Sequence, residues 1–119
     1  SANQTEKTVE VGGVEYKTGK DLTWPNEQIG GIERPKTGKL TAVTTNKEKN
    51  AVTLTLQEVD GSQVNSYATE LAKRYTDHSI TDNNGYGITF KGSNDKQSVD
   101  FLYDAASATM IMKITLANN

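Results

Sequence analysis

The chain has 119 residues, a formal net charge of −2 and 34% apolar residues, enough to close one lean hydrophobic core. Its lysines and arginines are dispersed, which argues against a nucleic-acid partner, and no apolar run nears the roughly 20 residues of a membrane span. There is no cysteine and one histidine, so disulfides and thiolate chemistry are excluded and a histidine metal site lacks its usual partners.

Residues 1–7 are polar and read as loosely held. "TVEVGGVEYK" alternates Val9, Val11, Val14 and Tyr16 around Gly12-Gly13, which predicts a hairpin. The stretch "DLTWPNEQIGGIERPKTGKL" follows, with the sole tryptophan and both prolines. Thr23 as a cap, Pro25 in a first turn and Gly30-Gly31 as a stop predict a short helical turn over 24–30. Trp24, Ile29 and Ile32 then form a plug over an open edge or end of the fold.

From residue 39 the pattern is regular. "KLTAVTT" and "AVTLTLQEV" around "NKEKN" predict a second hairpin. Asp60 and Gln63 resemble a capping box ahead of a helix over 62–75, whose apolar stripe is Val64, Tyr67, Ala68, Leu71, Ala72 and Tyr75. "HSIT", "YGITFK", "QSVDFLYD" and "ATMIMKITLA" then read as strands joined by turns. Short connections make neighbours antiparallel.

The architecture that buries these faces together is an α+β two-layer sandwich. One main helix lies on an antiparallel sheet in the order ββαβββ(β), preceded by an N-terminal hairpin and the Trp-Pro turn. The chain reads as a single domain over 1–119, with hairpin and plug at 8–38 and the core at 39–116. The other sheet face carries Thr53, Thr55, Thr89, Lys91, Asp100, Thr109, Lys113 and Thr115, with Leu102 and Ile111 as apolar exceptions. The N-terminal hairpin or the Trp24 segment is the natural cover for those two.

Candidate chemistry is sparse. His78 sits beside Asp77 and Ser79, but adjacent residues do not converge as a triad. Asp100 and Asp104 share one strand face, the only hint of the carboxylate pair a glycosidase needs. "DNNG" fails as a calcium loop, since Ser93 stands where a bidentate Glu is required. No catalytic residue, metal site or cofactor is assigned. The binding candidates are Trp24, Tyr86, Leu102 and Ile111.

Trp24-Pro25, Ile29, Ile32-Glu33-Arg34-Pro35 and Gly38-Lys39-Leu40 together resemble the motif of an uncharacterised domain family of Gram-positive lipoproteins and secreted proteins. There a W-P segment precedes a P-x-x-G-K entry into the first main strand. The resemblance spans about residues 20 to 116. It implies an extracytoplasmic setting, at the cell surface or secreted, with membrane attachment only through an upstream anchor that has been removed. The start at Ser-Ala-Asn-Gln without methionine reads as processed or engineered, and the threonine and asparagine content fits that setting. The expectation is a non-enzymatic binding domain for a protein or cell-envelope component. The alternatives are a small envelope hydrolase using strand carboxylates, or a structural module of a larger surface assembly.

Overall fold

The computed structural model of the chain describes residues 6–117. Eight strands form one antiparallel sheet: β1 (Lys7–Val11), β2 (Val14–Thr18), β3 (Lys39–Asn46), β4 (Ala51–Gln57), β5 (Asp77–Asp82), β6 (Gly87–Ser93), β7 (Gln97–Asp104) and β8 (Thr109–Leu116). Among the described residues a single α-helix, α1 (Val64–Ala72), lies between β4 and β5 in the chain. The spatial order is β1-β2-β3-β4-β8-β7-β6-β5, which leaves β1 and β5 as the two edges.

This is a mostly β fold, and it corrects the expected α+β two-layer sandwich. The hairpin read as preceding the core is part of the sheet, because Val14–Thr18 pairs along β3 from Asn46 to Ala42. The helix is also shorter than its apolar stripe suggests. Gly61–Gln63 form a 3₁₀ turn, and Tyr75 lies beyond the helix, buried at the start of the link to β5. Asp60 caps this start alone: it accepts from Ser62 N–H at 3.0 Å and from the Ser62 hydroxyl at 2.8 Å. Among the described residues no bond returns from the Gln63 side chain, because the Asp60 N–H donates to the Thr37 hydroxyl at 2.8 Å. Of the loosely held segment, residues 1–5 lie outside the described residues and Lys7 already belongs to β1.

Strand alternation sorts the sheet into two faces. The helix side carries Leu40, Leu54, Leu56, Phe90, Val99, Phe101, Met110, Met112 and Ile114, all buried. Phe90 stacks on Phe101 at 5.4 Å between centroids, and Tyr75 and Tyr67 tilt against them. Val64, Ala68, Leu71 and Ala72 of α1 close over part of this face. A nine-residue helix cannot span eight strands, since it is only about 14 Å long.

The irregular stretch between β2 and β3 covers what the helix leaves. Leu22, Ile29 and Ile32 are buried in the same core, and Trp24 packs against it. The path is set by hydrogen bonds: Gly19 and Leu22 N–H donate to Thr41 and Leu40 carbonyls, and Gly31 N–H donates to Asn26 O. The segment is a series of turns with no helix over 24–30, so the predicted helical turn is corrected while the plug is present. Gly30, at φ 69°, comes so close to the buried Gln97 amide that a β-carbon would lie 2.3 Å from its nitrogen. Gln97 in turn accepts the Tyr75 hydroxyl. The plug, α1's exit and β7 thus meet at one polar contact inside the core.

Candidate functional site

No layer of described residues covers the face of the sheet away from α1. Leu102 on β7 and Ile111 on β8 are direct cross-strand partners there, 50% and 46% exposed. Neighbouring strands set Thr89 beside Leu102 and Thr55 beside Ile111. The adjacent row runs Thr53, Lys113, Asp100, Lys91 from β4 to β6, with opposite charges side by side.

The N-terminal hairpin does not cover this pair, and neither does the Trp24 segment. Both expectations fail for reasons of register. Val9 pairs with Tyr16, and Tyr16 with Thr44, which places the hairpin's apolar residues on the uncovered face, in the plane of the sheet. Its Thr8, Glu10, Glu15 and Lys17 point to the helix side. That face has no core for Val9, Val11, Val14 and Tyr16 to enter. They stay partly or largely exposed.

Trp24 sits on the opposite, core side. Its Nε1–H donates to Ile32 O at 2.8 Å, and the Arg34 guanidinium lies 5.6 Å from the indole centre, a cation–π contact. This residue fastens the plug. Tyr86 lies in the turn before β6 with 80% of its surface exposed; its carbonyl accepts from Ala105 N–H, so the backbone is tied while the ring is free. Of the four sequence candidates, the structure joins only Leu102 and Ile111.

The carboxylates do not converge. Asp104 accepts from Ser107 N–H and hydroxyl at 3.1 and 2.6 Å, which makes it a turn residue. Asp100 and Asp104 stand four residues apart on one strand, about 13 Å between α-carbons, and Asp104 is held by Ser107, so nothing draws the two carboxyls together as a glycosidase pair. His78 Nδ1 lies 2.7 Å from Tyr75 O. Asp77, Ser79, Lys91, Ser98 and Asp100 line a shallow depression at the β5 end of the uncovered face. Among the described residues no three His, Asp or Glu side chains come together as metal ligands, and no helix is long and apolar enough to cross a membrane.

One small cavity of about 110 Å³ lies on the other side, between residues 33–37 and α1, floored by Pro35, Val59, Val64, Tyr67 and Met110. It is well below the size of a cofactor site. Tyr67 hydroxyl donates across its mouth to Glu33 O at 2.6 Å, and burial pushes the phenol's pKa upward. This is the seam where plug meets helix.

Sequence reasoning missed Val9 and Tyr16 as part of the uncovered face. Their alternation was visible, but the side of the sheet they occupy depends on pairing with β3. No family model, no curated protein and no solved structure matches the chain.

Proposed function

We propose that the chain is a non-enzymatic binding domain, working outside the cytoplasmic membrane, that holds a protein partner on its uncovered sheet face. The observation that carries this reading is the exposed Leu102–Ile111 pair at the middle of that face. Two half-exposed apolar side chains in direct contact make one contiguous spot, whereas apolar residues scattered singly over a surface need no explanation. A broad face suits a protein surface: it offers an apolar centre, a surround of threonines and neighbouring charges of both signs, the anatomy of a protein interface. It has no enclosing cavity of the sort a small ligand needs. The extracytoplasmic setting, and any anchored form, rest on the resemblance over Trp24–Leu40 and on composition. A hydrolase using Asp100 or Asp104 has less support, given their separation and the engagement of Asp104 with Ser107.

The test is site-specific photo-crosslinking in the cell that makes the protein, with the probe at position 111, at position 102, or at Glu48 in the β3–β4 turn. The reading predicts the same discrete protein adduct from 102 and 111 and none from 48. Equal, diffuse labelling from all three positions contradicts it.

A further inference from the structure

Strand β5 ends the sheet, and all six of its residues are exposed. Asn83 N–H donates to Gly87 O at 2.9 Å, which fixes the phase of the β5–β6 ladder. Backbone groups alternate between the two sides of an antiparallel strand. Asp77, Ser79 and Thr81 therefore turn their N–H and C=O groups to β6, while those of His78, Ile80 and Asp82 point away from the sheet. An open edge of this kind is a template for another strand.

We propose that this edge pairs with the same edge of a second copy of the chain, antiparallel about a two-fold axis at Ile80. The two eight-stranded sheets then become one continuous sheet of two protomers. Three features select this register. The first is backbone phase: it sets Ile80 opposite Ile80 and His78 opposite Asp82, so every outward-facing residue meets an outward-facing residue. The second is apolar contact, because Ile80, 39% exposed, gains its symmetry mate as a cross-strand neighbour. The third is charge. His78 of each copy faces Asp82 of the other, so an isologous contact forms the same pair twice.

The side chains are already placed for that pair. His78 Nδ1 lies 2.7 Å from Tyr75 O, so Nδ1–H donates there and Nε2 is left for a partner. Asp82 Oδ1 accepts from Gly85 N–H, leaving Oδ2. A neutral imidazole with its proton on Nδ1 offers Nε2 only as a lone pair, which repels a carboxylate; the protonated ring offers N–H. Pairing therefore strengthens as histidine gains its proton. Asp77 on the same strand, Lys91 on β6 and Asp100 on β7 line the depression that His78 borders, and Arg74 lies at the exit of α1.

The other edge has no such fit. Two copies of β1 pair only in registers that match odd with odd and even with even residues, so Lys7 never meets Glu10 of its mate. Centring on Val9 sets Lys7 against Val11 and Thr8 against Glu10. Charge complementarity therefore singles out β5. This surface is separate from the Leu102–Ile111 face and stands whether or not that face binds a protein.

Sedimentation velocity of the full chain from about 10 μM to about 1 mM tests the proposal. A single-strand interface is smaller than a standard one, so dissociation constants on the order of 100 μM are expected. Association should be roughly ten-fold tighter near pH 5.5 than near pH 8. Asp82→Asn keeps the Gly85 contact, removes the charge, and should weaken the dimer and flatten its pH dependence. The double variant His78→Asp with Asp82→Lys restores a pair of opposite sign and should dimerise at both pH values. A monomer throughout the range overturns the proposal. So does a dimer indifferent to both variants, or one abolished instead by Ile111→Lys, which places the contact on the open face.

Discussion

Leu102 and Ile111 face each other across β7 and β8, each about half exposed, on the side of the sheet opposite the buried Phe101 and Met112. One residue along each strand separates core from surface. Substituting both with serine should leave stability nearly unchanged, within about 1 kcal/mol by urea denaturation, as for other exposed positions. With the probe at one of the two positions, serine at the other should weaken its crosslink. A loss of several kcal/mol would mean that the pair is buried by something else.

Trp24 is a fastening residue for the plug. Trp24→Phe keeps most of the ring but leaves Ile32 O without its donor and weakens the Arg34 contact. A cost of about 1–2 kcal/mol is expected in chemical denaturation. No change at all would show that the plug holds without its hydrogen bond.

Gly30 and Gly31 are adjacent and both left-handed, at φ 69° and 77°, yet they should not respond alike. Alanine at 31 has open space around its new β-carbon and meets only the backbone penalty, about 1 kcal/mol. Alanine at 30 also collides with Gln97, which is bonded to Tyr75. The expected order in thermal unfolding is wild type, then Gly31→Ala, then Gly30→Ala, with the last clearly lowest.

Much of the fold was legible because alternation and glycine turns act locally. The phase of Val52, Leu54 and Leu56, and of Val99, Phe101 and Tyr103, could be read directly, and these residues are buried. The helix stripe was legible for the same reason, at 3.6-residue spacing. Architecture was less so. Whether Val14–Thr18 sits over a sheet or within it depends on pairing with β3, a contact some 30 residues away in the chain, and local pattern carries no such information. The uncovered face was therefore half visible: Leu102 and Ile111 stood out as apolar residues in polar phase, while Val9 and Tyr16 were read as a lid. The β5 edge was legible only as a short strand, because its outward backbone phase emerges from the Asn83–Gly87 turn.

Tyr67 makes alkaline stability a readout of the plug–helix seam. Burial raises its pKa above the ordinary phenol value near 10, and Tyr75 shifts in the same direction for the same reason. The folded state therefore holds the phenolic proton more tightly than the unfolded state. The stability linked to this is fully present below pH 10 and is lost as pH rises past that value toward the folded-state pKa. Tyr67→Phe should lower stability by about 1 kcal/mol at pH 7, through the lost bond to Glu33 O. It should also make stability fall less steeply above pH 10, leaving only the Tyr75 contribution.

The most direct test of the two-faced sheet is methyl NMR of the dilute protein with a soluble gadolinium chelate, which broadens signals according to their exposure. The account predicts strong broadening for the Leu102 and Ile111 methyls and protection for Ile29, Ile32 and Ile114. Protection of Leu102 and Ile111 at concentrations where the chain is monomeric would contradict it. The face would then be covered from within, and the proposed binding surface would not exist.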